Sequence, residues 1–208
     1  MTHYDCDICI IGGGSGGLSL AAGAAQMGAK VILFEAAAMG GDCLNSGCVP
    51  SKALLAAAKA AHYAGGAPRM GVTATPPKID FAAVKTHVAG VIDSITPHDS
   101  VERFEALGVS VITEHAAFTG PREVASNHHR VRAKYFVIAT GSQPVIPPID
   151  GLEDADFHTN ETIFADPAKP SHLVIIGGGP IGMEMAQAHI RLGVDVTDRK
   201  STRLNSSH

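Results

Sequence analysis

Apolar positions along the chain fall into two rhythms. Short continuous runs at Asp7–Ile11, Lys30–Phe34, Val109–Ile112, Tyr135–Ala139, His172–Ile176 and Val194–Thr197 have the length and β-branched content of strands buried on both faces. Between them, helical spacing predicts helices from Ser15 to Met27, from Pro50 to Ala61, over Asp80–Leu107 with a break at Pro97, and up to Leu192. Gly28, Gly108 and Gly193 stand as stop signals. Ala116–Phe118 and Glu123–Ala125 add short strands, and the proline-rich stretch from Gln143 to Pro170 reads as a connection between folding units. Strands alternating with helices define an α/β chain with a parallel sheet.

One pattern occurs twice. The first run leads into Gly12-Gly13-Gly14-Ser15-Gly16-Gly17, a helix, a second strand and Glu35; the run His172–Ile176 leads into Gly177-Gly178-Gly179-Pro180-Ile181-Gly182, 165 residues further on. Each is a βαβ unit, for which a right-handed parallel crossover is strongly favoured. Gly12, Gly14 and Gly17 fit G-x-G-x-x-G after a strand and at the start of a helix. That context points to dinucleotide binding: a tight turn, close backbone approach to a pyrophosphate, and close helix–strand packing. The helix N-terminus supplies amides and partial positive charge to the anion. Glu35, 18 positions past Gly17, is placed to accept from an adenosine ribose.

Composition narrows the class. With 208 residues, 45% apolar and 17% charged, the chain has room for more than one domain and is neither disordered, collagen-like nor coiled coil. No apolar run reaches the roughly 18 residues of a membrane span, and the first residues lack a signal-peptide pattern, so a cytoplasmic protein is expected. The last eleven residues, Asp198–His208, correspond codon for codon to the translation of a common sequencing adapter and are set aside. Three bases and one acid leave with them, taking the net charge from −4 to −6. No basic run suggests nucleic acid or an anionic membrane. The chain is then expected to be the front part of a longer protein.

The segment Gly40-Gly41-Asp42-Cys43-Leu44-Asn45-Ser46-Gly47-Cys48-Val49-Pro50-Ser51-Lys52 is the most informative. Two cysteines five positions apart in a chain expected to be cytoplasmic point to a catalytic pair or metal ligation rather than a lasting disulfide. An unbroken helix would hold their Cα atoms about 7.5 Å apart along its axis, past the bridging limit of about 7 Å. Asn45-Ser46-Gly47 is suited to break that helix, and Pro50 fits the first turn of the next. Cys48 then sits at a positive helix end, where thiolate is favoured, with Lys52 one turn on.

GGDCLNSGCVPSK resembles the redox signature of the class I pyridine nucleotide-disulfide oxidoreductases, which include dihydrolipoamide dehydrogenase, mercuric reductase and glutathione reductase. The likeness extends over residues 4–197: Ala139-Thr140-Gly141 with Pro144 resembles the family's ATG-x-x-P segment, His115–Phe118 the stretch meeting the flavin adenine, and Gly177–Glu184 the NAD(P) fingerprint. The resemblance implies an FAD-dependent homodimer. Gly12, Gly14, Ser15, Gly17, Glu35 and Gly41 would hold FAD, and Ala116, Thr140 and Gly141 would line it. Cys48 would be the flavin-proximal sulfur, a charge-transfer thiolate after reduction, and Cys43 the interchange sulfur meeting the substrate. Lys52 would lie beside the flavin and pair with Glu184; Gly177, Gly179 and Gly182 would receive NAD or NADP. No metal site is implied.

The expected layout is a Rossmann-like FAD-binding domain at 1–145, a connection at 146–170, the start of a second Rossmann-like NAD(P)-binding domain at 171–197, and the adapter-derived tail at 198–208. The implied activity carries electrons from NAD(P)H through flavin and the Cys43–Cys48 disulfide to a small-molecule or protein-bound disulfide, or runs in reverse as in dihydrolipoamide dehydrogenase. The 208 residues alone are not expected to turn over, since the family's acid–base histidine lies further on.

Two departures stand out. Asp42 replaces the threonine of many relatives, and a carboxylate there would be repelled by a pyrophosphate unless it turns to a ribose, an amide or water. Pro180 replaces an aromatic of some relatives, and Pro180-Ile181-Gly182 looks more like the mercuric-reductase-like branch. Alternatives are a mercuric-reductase-like enzyme, a non-catalytic flavin-binding redox module, and a flavin-free dehydrogenase. Cys6 and Cys9, three apart on a strand, are expected on opposite faces and so not to share a metal or a disulfide. His128-His129 is expected in a solvated hairpin turn, and His62 and Tyr63 receive no role. Asp198 belongs to the tail, which leaves the choice between NAD and NADP unread.

Overall fold

A computed structural model describes residues 1–67 and 70–199, which form two compact units: Met1–Cys48 with Ile92–Glu161, and Val49–Val91 with the chain from Thr162. The tail from 200 to 208 lies outside the described residues.

The first unit is built on a six-stranded sheet. Its strands are β1 (Thr2–Ile11), β2 (Val31–Phe34), β5 (Val109–Ile112), β6 (Ala117–Gly120), β7 (Glu123–Ala125) and β8 (His129–Ile138), in the spatial order β5-β2-β1-β8-β7-β6. The first four in that order run parallel, with Ile10 beside both Leu33 and Val137; β7 and β6 are antiparallel additions at one edge. Every residue of Val-Ile-Leu-Phe in β2 is buried, as a strand covered on both faces requires. One face carries α1 (Ser15–Gln26) and α5 (Val101–Ala106), with Leu18, Ala21 and Phe104 packed on Ile10, Val31, Leu33 and Val109. The other face gathers Ile32, Phe34, Ile112, Val124 and Val131. The break expected at Pro97 is a short 3-10 turn, Thr96–Asp99, between α5 and the longer α4 (Phe81–Ile95).

Cys6 and Cys9 do not face opposite sides: both lie buried in the second of these clusters. The amides of Asp7 and Ile8 both donate to the Lys30 carbonyl, at 2.9 and 3.2 Å, so the strand misses one alternation between the cysteines. Tyr4 and Cys6 before that point, and Cys9 and Ile11 after it, therefore share one face. β8 shifts phase with it, Val131 and Ala133 before the irregularity and Phe136 after it lying on the same cluster, and Lys134 bridges to Asp7 at 2.6 Å where the phase changes.

His129 is also drawn in rather than solvated. It begins β8, stacks on Tyr4 with ring centroids 5.9 Å apart, and places Nδ1 3.2 Å from Glu114.

The second unit contains most of α3 (Cys48–Ala64), the strands β3 (Gly66–Ala67) and β4 (Val72–Thr73), most of α4, and the pair β9 (His172–Ile176) and β10 (Asp195–Arg199) with α6 (Pro180–Arg191) between them. β9 and β10 are parallel, from His172 beside Asp195 to Ile176 beside Arg199, so β10 continues two residues past the expected end at Thr197. Buried Lys85 donates to the Ile163 carbonyl at 2.5 Å and lies over the Phe81 ring; burial lowers its pKa. His189, also buried, bonds through Nδ1 to the Met185 carbonyl at 2.8 Å.

Candidate active site

In the first unit, the turn after β1 is shaped by two glycines that nothing larger could replace. Gly12 has φ +111°, and a Cβ there would fall 2.1 Å from the Ala139 carbonyl oxygen; one on Gly17 would fall 1.9 Å from the Gly12 carbonyl oxygen. Backbone blocks both positions, whereas Gly16 faces open space and Gly14 meets nothing closer than 3.7 Å. Gly14 caps α1 with no side chain on the helix's first amides, which leaves them for an anion. The second unit repeats the construction: Gly177 has φ +119°, a Cβ on Gly182 would fall 2.1 Å from the Gly177 carbonyl oxygen, and Gly179 is open.

Several of the singled-out residues converge on the first turn. The Glu35 carboxylate accepts from the Gly13 amide at 2.6 Å and the Ala37 amide at 2.7 Å. The Gly40 amide donates to the Gly13 carbonyl at 2.8 Å, and Gly41 packs against Gly14. Thr140 and Gly141 follow Ala139, whose amide donates to the Ile11 carbonyl. Ala116 packs instead on the sheet face that holds Cys6 and Cys9.

From Gly41 the chain enters α2 (Gly41–Asn45), which carries Cys43 and is anchored by buried Leu44. It ends at Ser46, φ −143°, and α3 opens at Cys48 after Gly47. The break over Ser46-Gly47 brings the cysteines together in the reduced state, Cys43 partly covered and Cys48 exposed. The hydrogen bond between their side chains is the largest influence raising the Cys43 pKa; burial and the nearby Asp42 charge add to it.

Asp42 turns back over the link. Its Oδ1 accepts from the Ser46 hydroxyl at 2.8 Å and from the Asn160 amide nitrogen at 3.0 Å, and its carbonyl accepts from the Ser46 amide at 2.9 Å. Asn160 carried no signal in the sequence: it lies 118 residues away in a stretch without periodicity.

In the second unit Lys52 pairs with both oxygens of Glu184, at 2.6 and 2.7 Å. The pair is substantially exposed, at 61% and 34% of the side chains. Among the described residues, no group of three or more His, Cys, Asp or Glu is arranged to hold a metal ion, and no helix is long and apolar enough to cross a membrane.

The first unit thus holds an open glycine turn and a cysteine pair at a helix N-terminus, and the second repeats the glycine turn. The chain belongs to the pyridine nucleotide-disulphide oxidoreductase family, whose model matches residues 6–205. It is 40% identical over 212 residues to a mercuric reductase of Streptomyces lividans, covering 99% of this chain and 45% of that protein. It is 38% identical over 194 residues to a dihydrolipoyl dehydrogenase of Thermus scotoductus, covering 92% and 41%. Among solved structures it resembles the Cu(II) complex of the HOCl-induced flavoprotein disulfide reductase RclA from Escherichia coli, with a TM-score of 0.79 and 26% identity over 92% of this chain and 41% of that one. The chain thus spans less than half the length of these relatives.

Proposed function

We propose that the full-length protein is an FAD-dependent oxidoreductase that takes electrons from NADH or NADPH and passes them through Cys43 and Cys48 to a disulfide-type substrate, or runs the same path in reverse. The observation that carries this is the hydrogen-bonded, reduced Cys43–Cys48 pair in the same unit as an open glycine turn.

The residues fit the cofactor. Open backbone at Gly14 and Gly16, with the uncapped amides from Ser15 onward, suits a pyrophosphate approaching between Gly12 and Gly17. Each oxygen of Glu35 takes one backbone amide, and a carboxylate has lone pairs left for ribose hydroxyls. Gly41, Ala116, Thr140 and Gly141 would complete the FAD site, and Gly177, Gly179 and Gly182 would hold the pyrophosphate of NAD(P)H. Bound flavin supplies the conversion between hydride and dithiol chemistry.

The chain's own atoms handle sulfur exchange. The Cys43 sulfur, as thiolate, attacks one sulfur of the substrate disulfide, forms a mixed disulfide and releases one substrate thiolate. The Cys48 sulfur, having given up its proton, then attacks Cys43, closes the Cys43–Cys48 bond and releases the second thiolate. Glu184 accepts two hydrogen bonds from Lys52, which fixes that ammonium group. Homodimeric assembly and a cytoplasmic setting complete the proposal.

Purified full-length protein should release FAD on denaturation and oxidise NADH or NADPH when given lipoamide or glutathione disulfide. Cys43→Ser should keep the flavin and lose at least a hundredfold in turnover. A colourless protein, or Cys43→Ser with undiminished turnover, would contradict the proposal. The 40% identity to a mercuric reductase supports a second assignment, with Hg(II) as the acceptor. Nicotinamide oxidation that responds to Hg(II) and ignores disulfides would select it.

A further inference from the structure

Nothing in the local helix geometry alone keeps two cysteines five positions apart in contact once they are reduced. Leu44 buries and fixes α2, and Asn45 donates to the carbonyls of Met39 and Gly41, so the Cys43 side of the loop is pinned. Ser46-Gly47 is the remaining hinge, because α2 has ended and α3 has not begun. Asp42 reaches across that hinge. Its Oδ1 takes two donors at once, the Ser46 hydroxyl inside the loop and the Asn160 amide outside it. Its Oδ2 and carbonyl oxygen lie against Gly47, each 2.9 Å from where a Cβ would be.

We propose that Asp42 is a positioning residue for the thiol pair: held by Ser46 and Asn160, its carboxylate clamps the Ser46-Gly47 link so that the Cys48 sulfur stays against that of Cys43. The inference rests on the reading of Cys43 and Cys48 as a redox pair. The clamp is present while both thiols are reduced, so it sets their effective concentration before the bond forms. Coupling between clamp and disulfide is reciprocal: a clamp compatible with sulfur contact favours the disulfide, and the disulfide favours the clamp. Asp42 is one of the groups that hold the Cys43 proton, so the same carboxylate also bears on which sulfur ionises first.

The test uses the full-length protein in glutathione redox buffers, with the Cys43–Cys48 disulfide fraction read by alkylation and peptide mass spectrometry. Each Cys43–Cys48 disulfide formed consumes one glutathione disulfide and releases two glutathione thiols, the two cysteines giving up two electrons and two protons. Asp42→Ala should shift the equilibrium toward the dithiol by about tenfold, the loss of charge-assisted hydrogen bonds, or about 30 mV. Asn160→Ala should shift it by about threefold. Asp42→Asn retains an acceptor oxygen but loses the charge, and should fall between Asp42→Ala and the unsubstituted chain. The double variant Asp42→Ala/Asn160→Ala should match Asp42→Ala alone, since both remove one clamp.

Full additivity in the double variant, or Asp42→Ala within twofold of the unsubstituted chain, would overturn the clamp. If Asp42→Ala does not fold, Ser46→Ala takes its place and should also be non-additive with Asn160→Ala; additivity there would overturn the clamp equally. A disulfide that forms normally but ignores these substitutions removes this inference and leaves the redox pair standing. Failure of the unsubstituted chain to form the disulfide at any glutathione ratio removes both.

Discussion

Four thiols divide by what surrounds them. Cys6 and Cys9 are buried against the sheet, and burial pushes their pKa values up to about 11 and about 12. At pH 8 their thiolate fractions are about one in a thousand and one in ten thousand. Cys43 and Cys48 reach solvent. Iodoacetamide at pH 8 should therefore label Cys43 and Cys48 in the folded chain and leave Cys6 and Cys9 unmodified until denaturant is added, as followed by peptide mass spectrometry. Labelling of Cys9 at the rate of Cys48 would contradict the packing. The difference between the pairs was only half legible in sequence. Cys43 and Cys48 announce themselves because Asn45-Ser46-Gly47 is suited to break a helix, and the break falls at Ser46-Gly47. Cys6 and Cys9 mislead because simple alternation assigns them opposite faces, while the shared acceptor that realigns them is Lys30, just before a neighbouring strand.

Among elements, the turn between β7 and β8 shows what an isolated polar cluster does for a sheet. Glu114 accepts from the Ser126 hydroxyl at 2.5 Å and from the His128 amide at 3.2 Å, and faces His129, which ties the chain after β5 to that turn. These partners, the Ser126 hydrogen bond foremost, bring the Glu114 pKa down to about 2. A carboxylate whose folded pKa is depressed adds stability that is present above its ordinary value near 4.5 and is lost as pH falls from there toward about 2. Glu114→Gln should flatten that acid limb in urea-denaturation midpoints measured from pH 6 to pH 2 while leaving the slope near neutrality unchanged. An unaltered acid limb would show that Glu114 is no better partnered in the folded chain than in the unfolded one. A sequence reader sees β7 and its turn but not this cluster, because Glu114 and Ser126 meet only after β6 and β7 have folded back. β5 and β9, by contrast, fall on the residues that their apolar runs mark.

Across the molecule, the doubled strand–turn–helix–strand pattern was the feature most openly written in the chain. Gly17 and Gly182 are each excluded from carrying a side chain by the carbonyl of the first glycine in their own turn, five residues back. Such short-range necessity survives in sequence, whereas the Asp42–Asn160 contact, made across 118 residues, does not. The central claim is that the first turn holds a flavin and that Cys43 and Cys48 store a further electron pair beside it. Anaerobic dithionite titration of the full-length protein, read by flavin absorbance, measures that store directly. The oxidised protein should take up twice the electrons per flavin that Cys48→Ser takes up, the excess being the pair that opens the Cys43–Cys48 bond. Equal uptake by the two proteins would contradict it.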